Sequence, residues 1–203
     1  PEGALTRAEM ATIAVRLLDV DNISSGTEVF QDVPSSHWAY KNIATAYQLG
    51  IINGVDKNTF LPEEPLTYVQ AVKILVCVLG YSVEAEALGG YPSGYLSKAS
   101  QLGILKGTSG ESINRGITAI LLYNSLDCNI LVRENYGSSY NYVKKEGATI
   151  LTEYLKIEKY EGRITDTKYE RLSGMLSAKE GQVILDGTKR LETGSSNAEL
   201  LVG

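Results

Sequence analysis

The sequence contains few of the side chains on which metal sites and many nucleophilic enzymes depend. Its 203 residues include one histidine, His37, and two cysteines, Cys77 and Cys128. One histidine cannot form a His-based metal cage, neither cysteine has a base beside it in sequence, and no glycine-rich phosphate loop is present. We therefore predict no catalytic residue, no metal site and no cofactor, and a protein that is not an enzyme.

The two cysteines each lie inside an apolar stretch with helical character. This leaves two alternatives open, a single disulfide bond in an exported protein or two buried free thiols. We favour the free thiols because cysteine behaves as a small hydrophobic residue in protein cores.

Long apolar runs and a surplus of basic residues are also missing. The longest fully apolar run, residues 74–79, is far short of the ~20 residues needed to cross a bilayer. The formal net charge is −5, whereas a nucleic-acid-binding domain usually carries a basic stripe. Hydrophobic residues make up 43% and charged residues 21%, which is ordinary usage for a globular core. We expect a folded protein without membrane insertion or nucleic-acid binding.

Internal repeats are the most informative feature that is present. Residues 1–9 recur as residues 62–70, and a weaker third copy covers residues 113–117. A second kind of element, residues 46–54, returns as residues 99–107. Because the chain opens in the middle of a repeat, we expect its first module to lack the front half. An apolar face of the first helix would then need a cover from elsewhere.

Both kinds of repeat have the apolar spacing of amphipathic helices, whereas the sequence after residue 130 changes in character. Residues 134–148 are rich in tyrosine, serine, glycine and lysine, which is typical of a linker or loop. Residues 149–203 contain short strand-like stretches and an Asp-Gly turn signal. We therefore predict an α+β protein, with helical repeats over residues 1–130, a linker or loop over 131–148, and a small β-rich module, either whole or incomplete, over 149–203.

Two pairs of polar residues at the repeat starts have the spacing of helix caps. Thr6 with Glu9, and Thr67 with Gln70, fit the capping box, in which each side chain accepts a backbone N–H bond of its partner. Capping does not explain Arg7, which stands in the first helical turn where a cation is electrostatically unfavourable. An anion-binding role and a plain solvated arginine both remain open for it, and Arg115 occupies the matching position of the third copy.

Trp38 is the only tryptophan, and it too has two interpretations. Tryptophan that is half-exposed beside charged groups can line a sugar site, but packing in the core is the more common role. In the register of the second repeat, Tyr91 stands opposite Trp38.

Together these segments resemble S-layer homology modules. The resemblance rests on the Leu-Thr-Arg-Ala-Glu motif of residues 5–9, on Phe-x-Asp-Val-Pro-x-x-His-Trp-Ala of residues 30–39, and on the Gly-Ile-Ile-x-Gly and Phe-x-Pro motifs that follow them. It covers residues 1–128 and implies a pseudo-threefold spindle of helices. It also implies non-covalent anchoring of an exported protein to secondary cell-wall polysaccharide, often through pyruvylated sugar, at the surface of Gram-positive-type bacteria.

The resemblance implies ligand-binding roles for Arg7, Asp32, Trp38 and Arg115. The sequence departs from the family pattern at Tyr68, which replaces the arginine of the second copy, so we expect a complete groove only around Arg7. The expected partner is cell-wall polysaccharide, with other surface-protein chains or the upstream half-module as further partners. The alternative function is a structural scaffold that assembles a surface layer through protein–protein contacts.

Overall fold

The computed structural model describes residues 3–20, 29–110, 113–136, 139–172, 174 and 176–202. Its described part contains helices and two small antiparallel sheets, so the predicted α+β class is confirmed. The chain divides into two compact units, Pro1–Ile157 and Glu158–Gly203. The described residues of the first unit form six α-helices: α1 (Arg7–Leu17), α2 (Tyr40–Gln48), α3 (Tyr68–Val78), α4 (Ser82–Ala87), α5 (Ser93–Leu102) and α6 (Arg115–Leu126).

Helix α3 lies at the centre of the first unit, where it contacts α1, α5 and α6. Its side chains are buried on several faces, since Val72, Leu75 and Val76 are all fully inaccessible to solvent. This agrees with a helix whose sequence is apolar on almost every side. Helices α1 and α2 pack as one pair, and α4 and α5 as another.

Capping boxes fix the starts of α1 and α3. The Thr6 hydroxyl accepts from the Glu9 N–H at 3.2 Å, and the Glu9 carboxylate accepts from the Thr6 N–H at 2.8 Å. Thr67 and Gln70 make the same reciprocal pair at α3. Asn114 caps α6 with a single bond to the Ile117 N–H at 2.8 Å.

The structure corrects the linker or loop expected over residues 131–148. Strand β1 (Asn129–Tyr136) pairs antiparallel with β2 (Ser139–Thr149), and a short π-helical turn follows at Ile150–Tyr154. Both ends of this hairpin are buried in the helical core, through Ile130 and Ile150. The Leu131 N–H also donates to the Leu79 carbonyl at 2.9 Å, so the hairpin is attached to the end of α3.

In the second unit, Glu158–Gly203, the residues that the structure describes form a three-stranded antiparallel meander. Its strands are β3 (Ile164–Thr167), β4 (Gln182–Leu185) and β5 (Lys189–Glu192). The predicted Asp-Gly turn joins β4 to β5, with φ of 47° at Asp186 and 74° at Gly187. Two positive φ values in succession are what this dipeptide accommodates best in a hairpin.

Both cysteines are free thiols, Cys77 half-buried and Cys128 buried. This agrees with the favoured alternative and not with an intramolecular disulfide bond. Among the described helices, none is long and apolar enough to span a membrane.

Candidate functional site

A cavity of about 200 Å³ lies in the first unit, between the start of α1, one face of α3 and the loop that follows α2. Its floor and walls are apolar, formed by Ile51, Ile52, Val55, Phe60, Leu66 and Ile74. Gly54 lines the cavity as well. The rim of the cavity is polar and aromatic and consists of Arg7, Asn53, Gln70, Lys73 and Tyr91. Two cations therefore reach this cavity, and no carboxylate is among the described residues that line it.

Arg7 is held in place by the loop that it faces. Its Nε donates to the Phe60 carbonyl at 2.8 Å, and one of its terminal nitrogens donates to the Asn53 carbonyl at 3.1 Å. The guanidinium carbon also lies 4.5 Å from the centre of the Phe60 ring, within the range of a cation–π contact. Partial burial lowers the pKa of Arg7 and nearby Asp32 opposes that change. An arginine remains charged at neutral pH even so.

Asp32 does not line the cavity but organises its wall. Its carboxylate accepts from the Phe60 N–H at 2.9 Å and 3.1 Å and from the Leu61 N–H at 2.7 Å. Leu61 has φ of 60°, a left-handed conformation that a branched side chain rarely adopts. Asp32 thus fixes a strained turn whose Phe60 carbonyl holds Arg7. The structure brings the two predicted residues Arg7 and Asp32 together through Phe60.

Lys73 and Tyr91 belong to the same cavity, and sequence reasoning did not identify them as site residues. The Lys73 ammonium lies 5.7 Å from the centre of the Tyr91 ring. With the Asn53 amide oriented to satisfy both of its polar atoms, its side-chain oxygen accepts from Lys73 Nζ at 3.0 Å. Asn53 therefore links the two cations, because its main-chain carbonyl binds Arg7. The sequence feature that could have identified this site residue is Lys73 itself, the one charged residue of a largely apolar helix.

Trp38 lies outside the cavity and is 59% exposed, so the packing interpretation is wrong. Its ring stacks on His37 with 5.7 Å between ring centres. His37 contacts the Glu63 carboxylate through Nε2 at 3.0 Å. Trp38 is thus an aromatic surface in the same repeat as the cavity but separate from its lining.

Arg115, the other predicted arginine, also lies outside this cavity. It forms an ion pair with Glu9, with 3.0 Å between Nη1 and Oε1. Its guanidinium is therefore engaged by a member of the capping box at the start of α1.

The positions related to Arg7 and Lys73 by the internal repeat carry different side chains. Tyr68 takes the position of Arg7, and its hydroxyl is hydrogen-bonded to Thr108 at 2.7 Å. Ile120 takes the position of Lys73, and its side chain lies close to Gly107. Neither position carries a cation, so the pair of cations found in the cavity is not repeated at these positions.

Taken together, the cavity can bind an anion beside apolar and aromatic surface. Arginine offers several fixed donors to a carboxylate, lysine adds a point charge, and Tyr91 offers a ring face to a sugar. The described residues that line the cavity include no nucleophile paired with a base.

Comparison with known proteins connects this part of the chain with bacterial surfaces. Residues 29–72 match the family model of the S-layer homology domain. A "Cell surface protein" of Thermoanaerobacter kivui is 35% identical over 130 residues, which cover 61% of this chain and 16% of the relative. A "Middle cell wall protein" of Brevibacillus brevis is 31% identical over 164 residues, covering 77% of this chain and 15% of the relative.

A third relative, a "Cellulosome-anchoring protein" of Acetivibrio thermocellus, is 36% identical over 70 residues, covering 33% of this chain and 16% of the relative. The chain thus spans about one sixth of the length of these curated relatives. The matched residues 29–72 include Asp32, Trp38 and the loop that lines the cavity.

Proposed function

We propose that this chain, which carries an S-layer homology domain, is a non-catalytic anchoring module that binds an acidic polysaccharide of the cell wall. The domain and the surface-protein relatives indicate a location at the cell surface, in the cell wall. Within the proposal, the polymer is a secondary cell-wall polysaccharide, and the group recognised is the carboxylate of a pyruvylated sugar.

The observation that carries the proposal is the pair of cations in one apolar cavity. The chain has a formal net charge of −5, so its overall field repels an anionic polymer at long range. Binding must then come from a local cluster of positive charge, and Arg7 and Lys73 form such a cluster. Among the described residues that line their cavity, none is a carboxylate. Among those residues, only two of the three Arg7 guanidinium nitrogens have a protein acceptor, which leaves Nη1 available to a ligand.

The ligand's sugar ring is expected to contact aromatic surface. Tyr91 is 53% exposed at the rim of the cavity, and we assign it the stacking contact nearest to the carboxylate. Trp38, which is outside the cavity, is assigned a contact with a neighbouring sugar of the same polymer. Aromatic rings suit this role because they offer a flat apolar face with little conformational entropy to lose.

The proposed fold of the helical part is the pseudo-threefold spindle of the family. In its support, the starts of the three repeat-related helices α1, α3 and α6 lie side by side. The Leu66 N–H, just before α3, donates to the Leu5 carbonyl at 2.7 Å, just before α1. The Arg115 N–H, at the start of α6, donates to the Gly3 carbonyl at 3.0 Å.

The proposal is tested by sedimentation of the chain with purified cell walls. The variants are Arg7→Ala and Lys73→Met, and the matched control is Arg16→Ala, which removes an exposed arginine from the last turn of α1. We expect the wild type and the control to bind walls that keep their polysaccharide, and both site variants to bind more weakly. Undiminished binding to walls stripped of polysaccharide would instead favour the alternative, a scaffold held by protein contacts.

A further inference from the structure

Arg115 makes two hydrogen bonds that join α6 to the first turn of α1 and to the segment before it. Its backbone N–H donates to the Gly3 carbonyl at 3.0 Å. Its side-chain Nη1 donates to Glu9 Oε1, also at 3.0 Å. The side chain is about half exposed, so the pair is accessible to solvent but fixed at two points.

Glu9 is shared between this ion pair and the cap of α1. While Oε1 binds Arg115, Oε2 accepts from the Thr6 N–H at 2.8 Å. These bonds lower the pKa of Glu9, with the Thr6 backbone bond the largest cause and the contacts with Arg115 adding to it. Thr6 directly precedes Arg7, so the hydrogen bond that Glu9 accepts from Thr6 ends one residue away from the cation of the cavity.

The opposite side of the same segment is fixed by the stretch before α3. The Arg7 N–H donates to the Glu64 carbonyl at 3.0 Å, and the Ala8 N–H to the Pro62 carbonyl at 2.9 Å. The start of α1 is therefore held from two sides, by α6 through Arg115 and by residues 62–64. The second side is continuous with the loop whose Phe60 carbonyl binds the Arg7 side chain.

We propose that Arg115 is a positioning residue for the anion site, acting through Glu9 and Thr6 on Arg7, and not a group that touches the polysaccharide. This inference rests on the proposed function of the Arg7 cavity. It replaces the ligand-binding role that the sequence resemblance implied for Arg115. A guanidinium already paired with a carboxylate is a weak attractor for a second anion, whereas the same pair restricts the backbone that presents Arg7.

The experiment uses a double-mutant cycle of Arg115→Ala and Glu9→Gln. Glutamine is a matched replacement, because Gln70 makes the same capping box at α3 without a charge. The dissociation constant of each folded variant is measured for cell walls that keep their polysaccharide, well below the unfolding temperature. We expect each single variant to bind about two- to fivefold more weakly, the range set by a partly exposed ion pair. The double variant should bind no more weakly than either single variant.

Two further variants complete the test. Arg115→Lys keeps a cation near Glu9 and should recover part of the lost affinity, and Arg7→Ala reports on the cavity itself. If Arg7→Ala binds weakly but Arg115→Ala binds as the wild type, the positioning role is wrong and the proposed function stands. If Glu9→Gln binds normally while Arg115→Ala does not, Arg115 contacts the polymer directly and the inference is overturned. If Arg7→Ala and Lys73→Met both bind normally, the proposed function fails together with the inference.

Discussion

Replacement of Asp32 by alanine should destabilise the helical unit more than a typical surface substitution does. The Asp32 carboxylate accepts from two backbone N–H groups, those of Phe60 and Leu61. Phe60 is only 1% exposed, so its N–H would lose its partner in a site that water reaches poorly. Leu61 is 39% exposed, so its N–H can turn to water.

The magnitude follows from this difference. An unsatisfied buried donor costs about 1–3 kcal/mol, and a lost bond to a charged acceptor that water replaces costs less. The two losses together predict a decrease of about 1–4 kcal/mol in the free energy of unfolding. Release of the strained turn at Leu61 should offset only part of this decrease. Asp32→Asn keeps one acceptor oxygen, so its stability should lie between that of the wild type and that of Asp32→Ala.

Urea unfolding followed by circular dichroism measures the effect, provided that the slope of the transition stays constant. The matched control is Asp56→Ala in the loop that contains Phe60 and Leu61, where a fully exposed carboxylate accepts from the Asn58 N–H at 2.8 Å. We expect the control to change stability far less than Asp32→Ala. Equal effects of the two substitutions would show that Asp32 does not hold the wall of the cavity.

Three further predictions concern the caps and the thiols. Thr6→Ala removes the cap of α1 and should lower the free energy of unfolding by about 1 kcal/mol, measured in the same urea assay. Because the folded state lowers the pKa of Glu9, the ionised carboxylate should stabilise the fold above pH 4.5, the ordinary pKa of glutamate. This stabilisation should be lost as the pH falls from 4.5 through the lowered pKa. Glu9→Gln should therefore flatten the acid limb of a stability-against-pH curve. Burial raises the pKa of Cys77 to about 11 and also raises that of Cys128, so a thiol reagent at pH 8 should label both only after unfolding.

The features that the sequence predicted correctly depend on short spacing. A threonine followed three residues later by glutamate or glutamine produces the caps at Thr6 and Thr67, because all partners lie within one helical turn. The helical repeats follow in the same way from apolar periodicity. The family resemblance used motifs of the same kind, and the match to residues 29–72 confirms it.

The features that it missed depend on contacts between distant segments. Lys73 looked like an interruption of an apolar helix, and only the fold places it beside Asn53 and Arg7. Asp32 was predicted to bind ligand, and only the fold shows that its carboxylate also accepts hydrogen bonds from a turn 28 residues further along the chain. Core packing was one of the two interpretations left open for Trp38, and the fold decides against it, because 59% of the residue is exposed.

The hairpin of β1 and β2 was missed for a related reason. Its composition is that of a loop, and what stabilises it is burial of Ile130 and Ile150 at its base. Local composition does not reveal that a strand is docked on α3 through the bond from Leu131 to Leu79.

The most direct test of the central claim is a calorimetric titration of the chain with two wall oligosaccharides that differ only in the acidic substituent. The titration is repeated across a salt series. If the Arg7 and Lys73 cavity recognises the carboxylate, only the acidic oligosaccharide should bind tightly. Its affinity should vary only slightly with salt, because screening weakens both the local attraction and the long-range repulsion from the net charge of −5. Equal affinity for the neutral oligosaccharide would contradict anion recognition and leave stacking on Trp38 and Tyr91 as the basis of binding.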